Sequence, residues 1–542
     1  MGPGCGQGRP AHDQSGGAVE ENNGSRNAEP QLPPTAGLLP VVAPQPPRQN
    51  RKPVPKQTKP VPAGTVPLRV PRTPPRHNAA ARRMLRKLVQ SEAPPTAPMT
   101  IVDRLAGSPY ANPMIQAGGV DASARQTLDL ALDLAEAMFR YGAGALEAET
   151  SIIAVTAAFG LRNVEVDITN QSVVINYAKP DAVPLTVMRV VRSWTNNYAG
   201  LSQVHQLVTD IVRGHADRAE ARRRIDEITR QPKPYPRWVA SLASAVFAGT
   251  IVAFIGGSFA ASAVAVAASL LVELASRTLG RWRIPDFFTT AAGSCIVTFL
   301  ALAFWQLQVP LSPAIVVAGG IIMLLPTGRL VSAVQDAING FPVTAAGRFL
   351  SAFLTFGALV AGISVGLVAG SLAGIRVPDV LEAGAGGYPV VVQALLAMLA
   401  TALVCVTEQT RPAMIVPTAL VALLGFAVYA LVQAGGLGDR LSPAVAAVFI
   451  GFAARLVALK LGSPQLVVAV PALLFLLPGF AIFRSMYTLT VPPGDPITGM
   501  FVLFSALTVI LAMAGGAVLG DHLARPLTRG WGSNEGRRNR RR

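Results

Sequence analysis

The sequence predicts a polytopic α-helical membrane protein, with about ten transmembrane helices as two inverted five-helix repeats. A small soluble α+β domain and a disordered Pro-rich N-terminus precede them. Three observations carry this expectation. The chain has a mean hydropathy of +0.42 with 14% charged residues, unusual for a soluble protein of 542 residues. Its apolar residues concentrate between Trp238 and Leu519, after a polar and mixed N-terminal part. Two stretches within the apolar part repeat a Ser-Pro start and a Leu-Leu-Pro end.

Residues 1–108 are rich in Pro, Gly, Gln and Asn and bury too little apolar surface to offset chain entropy, so a disordered basic extension is expected there. Within it, residues 79–89 set Met84, Leu85 and Leu88 among Arg82, Arg83, Arg86 and Lys87. That is the pattern of a basic amphipathic helix on anionic lipid, and equally of a solvated charged stretch. The first residues lack the apolar core of a signal peptide, so export of the N-terminus by that route is not expected.

Residues 109–236 read as a cytoplasmic α+β domain. Leu128, Leu132, Ala135 and Phe139 recur at helical spacing before Gly142, and a second helix is expected over 147–159. Val164, Val166 and Ile168 alternate with acids, Asn170-Gln171 makes a turn, and strands follow over 173–177 and 186–191. Helices over 201–214 and 216–229 close the domain, with His205 and Asp210 expected on the surface of one of them. This pattern has its own apolar faces and is expected to fold without the rest.

Ten apolar segments follow, at or near the roughly 20 residues of a spanning helix: 238–255, 259–275, 287–305, 313–325, 349–369, 389–406, 413–432, 443–459, 466–483 and 500–519. An even number puts both termini on one side. Loops on that side carry Arg277, Arg281, Arg283, Arg329, Arg348, Arg411, Arg455 and Lys460, against Arg376, Arg440 and Arg484 opposite, so both termini are expected in the cytoplasm. The basic tail at 523–542 suits an anionic inner leaflet, which attracts each Lys or Arg by about 1 kcal/mol. That tail, the extension and the loops account for the net charge of +17 without nucleic acid, so membrane lipids are the expected partner. Cys5, Cys295 and Cys405 are far apart and suggest neither a disulfide framework nor a metal site; no cofactor is indicated.

Ser312-Pro313-Ala314-Ile315-Val316-Val317-Ala318, leading to Leu324-Leu325-Pro326-Thr327-Gly328, parallels Ser463-Pro464-Gln465-Leu466-Val467-Val468-Ala469, leading to Leu476-Leu477-Pro478-Gly479. Gly347-Arg348-Phe349 likewise parallels Gly499-Met500-Phe501. The repeat units are 237–375 and 386–522. Five spans per unit make the second copy enter from the opposite side, the arrangement of alternating-access transporters. The breaks at Pro326 and Pro478 free backbone groups that must face protein or water, so they are candidate cavity walls. After the first break Gln335, Asp336 and Asn339 share a helical side. An ionisable residue in a membrane helix is costly unless it faces a wet interior, which makes Asp336 the first candidate; a helix-end charge at the interface is the other reading. Arg329 and Arg484, each just beyond a break, offer a planar fork for a carboxylate or snorkel to lipid phosphate.

The order of parts resembles the threonine/serine exporter family across about residues 120–520. It rests on Gly142-Ala143-Gly144-Ala145-Leu146-Glu147-Ala148-Glu149, the helix end Phe159-Gly160-Leu161, a strand pair, and two five-span halves with Leu-Pro-Thr-Gly and Leu-Pro-Gly breaks. The resemblance implies a multi-pass plasma-membrane carrier that expels threonine and serine, coupled to the proton-motive force. Two departures stand out. The family tends to show Gly-Ala-Glu-Thr where this chain has Gly142-Ala143-Gly144-Ala145, which leaves Glu147 and Glu149 as the acids of that motif, and Thr327 reads as an insertion between proline and glycine.

No Gly-x-x-x-x-Gly-Lys-Ser/Thr sequence indicates direct use of ATP, so protons are the expected coupling ion, with Asp336 as a protonation site. A zwitterionic substrate would set its carboxylate on Arg or helix amides and its ammonium on carbonyls or Asp336. The alternative is a membrane-anchored hydrolase or regulatory domain coupled to a channel for small amino acids or peptides. His205, His215, Asp210 and Asp217 show neither nucleophile-elbow nor metal-ligand spacing in its favour. A structural or signalling role has only the Pro-rich N-terminus behind it, and the sequence leaves the oligomeric state open.

Overall fold

A computed structural model describes residues 121–178, 184–191, 194–375, 388–490 and 495–528. The expectations for 1–108, its island at 79–89, Cys5, Arg376 and the tail beyond Thr528 lie outside the described residues.

Helix α1 (Asp121–Arg140) buries Leu128, Leu132, Ala135 and Phe139 along one stripe. Its end is set by Gly142, whose φ of +99° only glycine adopts without strain; Gly142 N donates to Phe139 O and Ala143 N to Met138 O, the paired bonds of a Schellman stop. Helix α2 (Ala145–Ala158) is buried on nearly all sides, wedged between α1, the sheet and the membrane part. Strands β1 (Val164–Thr169), β2 (Ser172–Tyr177) and β3 (Leu185–Val190) form an antiparallel sheet in that order. Val164, Ile168, Val173 and Ile175 are buried, and the turn between β1 and β2 is eased by Asn170 at φ +53°. Helix α3 (Tyr198–Val212) is capped by Asn197 Oδ1, which accepts from Gly200 N, and α4 (Arg218–Arg230) by Asp217 Oδ1, which accepts from Glu220 N.

The membrane part has two halves with one element order. The first contains α5 (Arg237–Phe254), α6 (Phe259–Arg281), α7 (Asp286–Gln306), the bent pair α8 (Pro313–Gly320) and α9 (Thr327–Ile338), and α10 (Pro342–Leu372). The second contains α11 (Val390–Thr407), α12 (Pro412–Ala434), α13 (Gly438–Lys460), the bent pair α14 (Leu466–Leu473) and α15 (Gly479–Thr490), and α16 (Pro496–Ala524). Eight of these helices are long and apolar enough to cross a membrane, and ten crossings result if each bent pair is one span. Large apolar side chains such as Leu274, Phe353, Leu395, Leu424 and Phe504 stay exposed, a surface that lipid must solvate.

Packing repeats between the halves. Helix α10 lies on α7 as α16 lies on α13, α6 touches α5 and α7 as α12 touches α11 and α13, and α9 meets α10 as α15 meets α16. The two longest contacts depend on glycine: a Cβ on Gly362 of α10 would stand 2.0 Å from Ala291 O, and one on Gly520 of α16 would stand 2.0 Å from Val448 O. The first helices of the halves run antiparallel. Tyr235, just before α5, donates its N–H to Gln409 Oε1 at the end of α11 (3.0 Å), while Tyr388 Oη, just before α11, donates to Gly257 O beyond the end of α5 (3.3 Å).

Each bent pair passes through a short 3-10 turn, Ile322–Leu324 or Leu474–Leu476, and then a leucine forced out of helical geometry by the proline after it. Leu325 has φ −69° and ψ 132°, Leu477 φ −66° and ψ 134°, and the segments bend by 55° and 52°. The fourth span therefore runs past 325, and the ninth bends at Leu477, beside the break expected at Pro478.

Candidate functional site

The two breaks match bond for bond. Thr327 N donates to Leu325 O (2.9 Å) and Leu330 N to Pro326 O (3.0 Å); Gly479 N donates to Leu477 O (2.9 Å) and Ile482 N to Pro478 O (3.1 Å). Thr327 thus takes the place of Gly479 and is a replacement, not the insertion its sequence suggests. Each break packs on the other half's bent pair. A Cβ on Gly479 would lie 2.9 Å from Ala318 O of α8, whereas one on Gly328 would meet only Val470 Cγ1 of α14, at 3.8 Å. The half-helices α9 and α15 therefore start against the opposite half, where their unpaired first amides and dipoles favour negative charge. Phe475, in the turn before the second break, meets Phe254 of α5 and Phe426 of α12 at ring separations of 5.9 and 6.1 Å. Arg329 and Arg484 are both exposed, and Arg329 donates to Ser351 Oγ at 3.4 Å, so neither guanidinium is enclosed by the breaks.

Asp336 does not face an open cavity. It is completely buried where the α+β part docks on the membrane part, 2.8 Å from the Arg348 guanidinium of α10. Its Oδ1 accepts from Ala145 N at 2.8 Å, capping α2, whose own cap residue is Gly144. Gln335 stands beside the same glycine, its Oε1 3.9 Å from where a Gly144 Cβ would be, and Asn339 ends α9. Arg348 donates to Ala143 O at 3.0 Å and lies over the rings of Phe139 and Trp194. Thr344 Oγ1 accepts from Asn170 N (3.0 Å) and donates to Ile168 O (2.9 Å).

The second half contributes to the same face. Glu408 O and Gln409 O accept from Tyr198 N and Ala199 N, and Gly462 lies beside Gln206. Glu147 of α2 has its Oε1 3.8 Å from Nδ1 of His205, which is buried and not on a helix surface as expected. Burial pushes the Glu147 carboxyl up to about 8, with the Asp521 charge of α16 adding to it, and burial pushes His205 down to about 4. Asp521 itself pairs with Arg455 of α13 at 2.9 Å and with Arg525 at 3.1 Å. Glu149 is buried in α2, and Gly142 sets the preceding turn.

The sequence places Arg348 and Arg455 in the loops on this side but assigns them no partners, and it does not single out Thr344 or Asp521 there. An acid and a base one helical turn apart, Asp521 and Arg525, at the end of an apolar span were the available signal for the last.

Residues 129–369 match a family described as "Putative threonine/serine exporter", and residues 393–523 match one described as "Threonine/Serine exporter, ThrE". The chain belongs to the threonine/serine exporter family. That is a family of transporters, not of enzymes. It is 33% identical over 423 residues to the "Probable threonine/serine exporter" of Mycobacterium tuberculosis (strain ATCC 25618 / H37Rv), covering 77% of this chain and 80% of the relative. It is 30% identical over 448 residues to the "Threonine/serine exporter" of Corynebacterium glutamicum, covering 81% and 87%. No solved structure matches the chain. The two family matches divide between α10 and α11, where the halves of this exporter-family chain meet.

Proposed function

We propose that this chain exports small polar amino acids, threonine and serine among them, as a secondary transporter driven by the proton-motive force. The observation that carries the reading is the meeting of two broken spans, each starting a half-helix against the other half. Broken helices from two related halves give a substrate site near mid-membrane that rocking of the halves exposes to each side in turn. The antiparallel course of α5 and α11 supports an inverted relation between 237–375 and 386–522. The relatives' names supply threonine and serine.

In this reading residues 109–236 form a soluble domain on the cytoplasmic face of the plasma membrane, together with both termini, because the basic loops cluster on that face. Asp336 enters the ion pathway through Arg348: a proton on the carboxylate removes the charge that holds the guanidinium, so proton uptake and docking of α2 are linked. Efflux of threonine and serine from dipeptide-loaded cells, with and without the protein and with and without an uncoupler, tests the proposal. Faster efflux that the uncoupler abolishes is the expected result. Equal efflux with and without the protein removes the transport reading, and uncoupler-resistant efflux removes proton coupling.

A further inference from the structure

We propose that the Thr327 hydroxyl and the uncapped first turn of α9 form the seat for the α-carboxylate of the transported amino acid, and that the matching position in the second half is closed to it. This deepens the transport reading and rests on it.

The two breaks share their backbone hydrogen bonds and differ in the residue after proline, Thr327 in the first and Gly479 in the second. At Gly479 the start of α15 presses on the backbone of α8, leaving no room for even a methyl group, since its Cβ would lie 2.9 Å from Ala318 O. At the first break a whole threonine side chain fits. A centre built from two similar halves is thereby made asymmetric by one hydroxyl.

That hydroxyl has no local use. Thr327 is 5% exposed, and its Oγ1 is buried with no hydrogen-bond partner among the described residues. Several threonines elsewhere in the spans return their proton to the carbonyl four residues earlier, as Thr250 does to Val246, Thr298 to Ser294, Thr401 to Ala397 and Thr508 to Phe504, whereas Thr418 of α12 does not. For Thr327 the fourth residue back is Met323, on the far side of the break, and that bond is not made. Leaving a hydroxyl buried and unpaired is unfavourable, a cost that a bound acceptor would remove.

The chemistry of the place selects the acceptor. Helix α9 is twelve residues long, its cap position is Pro326, and no side chain caps it. Its first amides and helix dipole favour an anion, and the Thr327 O–H adds a donor of the same sense. Neither of the guanidiniums just beyond the breaks, Arg329 and Arg484, is enclosed there, both being exposed. Neutral donors hold a carboxylate without a salt bridge that would delay its release.

The full-length protein in membrane vesicles, assayed by threonine counterflow with threoninamide as competitor, tests this. Thr327→Val keeps the shape and removes the hydroxyl; Thr327→Ser keeps the donor. Loss of one hydrogen bond to a charged group predicts a KM for threonine about tenfold higher in Thr327→Val, little change in Thr327→Ser, and a narrowed preference for threonine over threoninamide in the Val variant alone. Should Thr327→Val not reach the membrane at wild-type abundance, Thr327→Ala is read by the same criteria. An unchanged KM and an unchanged acid-over-amide preference in either variant overturn the carboxylate seat while transport stands. A wild-type protein that moves neither threonine nor serine overturns both.

Discussion

Asp336 and Arg348 stand 2.8 Å apart across the turn between α9 and α10, and each also holds a backbone group at the start of α2. The pair is a buried clasp between two parts of the chain whose residues are 191 positions apart in sequence. Removing one buried partner leaves the other charge uncompensated, at about 3–5 kcal/mol. Asp336→Asn and Arg348→Met are each expected to lower the melting temperature of the detergent-purified protein. The double variant should lose less than the sum of the two, and additive losses would mean that the charges do not sense each other.

The Glu147 and His205 shifts make docking pH-dependent in opposite directions. A carboxyl raised from 4.5 to about 8 contributes stability that is full below pH 4.5 and is lost as the pH rises through 8. An imidazole lowered from 6.5 to about 4 contributes stability that is full above pH 6.5 and is lost as the pH falls through 4. Glu408 on the same face, pushed by burial up to about 7, has lost its share by pH 7, so of these three groups Glu147 alone changes between pH 7 and 8. Wild-type melting temperature should fall across that interval and that of Glu147→Gln should stay level; parallel slopes would assign the pH dependence elsewhere.

Glycines of the long helices divide by what surrounds them. Gly520 of α16 has Val448 O at 2.0 Å from a built Cβ, while Gly515 of the same helix has nothing within 4 Å. Gly520→Ala is expected to cost about 1–3 kcal/mol by forcing α16 off α13, and Gly515→Ala to be neutral or slightly stabilising. Melting curves of the two variants separate these outcomes, and equal effects would deny the close approach.

A reporter active only in the cytoplasm, fused after Arg542, is expected to be active. Tyr235 and Gln409 place the start of α5 and the end of α11 on the docking face, where Asp521 near the end of α16 also lies. Activity of a reporter that works only outside the cytoplasm would reverse the orientation of the whole membrane part.

The spans were legible because a lipid-facing helix needs an uninterrupted apolar run, and the breaks because proline acts on the residue before it. What proline cannot announce is how far the chain turns and what the turned half meets: the break at Pro478 is readable, but not that the extended φ and ψ of Leu477 turn the ninth span by 52°. Asp336 was visible as a charge where charge is expensive, but its partners were not. The bond from Ala145 arises from tertiary docking, which leaves no periodicity in the sequence. His205 shows the same limit, since the spacing on α3 marks an apolar face but not the neighbour that covers its polar one.

The α+β part is fastened to both halves at once. Ala143, Ala145 and Asn170 hold α9 and α10 of the first, and Tyr198, Ala199 and Gln206 hold the α11–α12 and α13–α14 turns of the second. A crossbeam tied to two bodies bears load whenever one tilts against the other. If the halves rock as proposed, motion through an appreciable angle must break one set of ties or bend α2 and α3 relative to each other, and part of its energy is then stored in the α+β part.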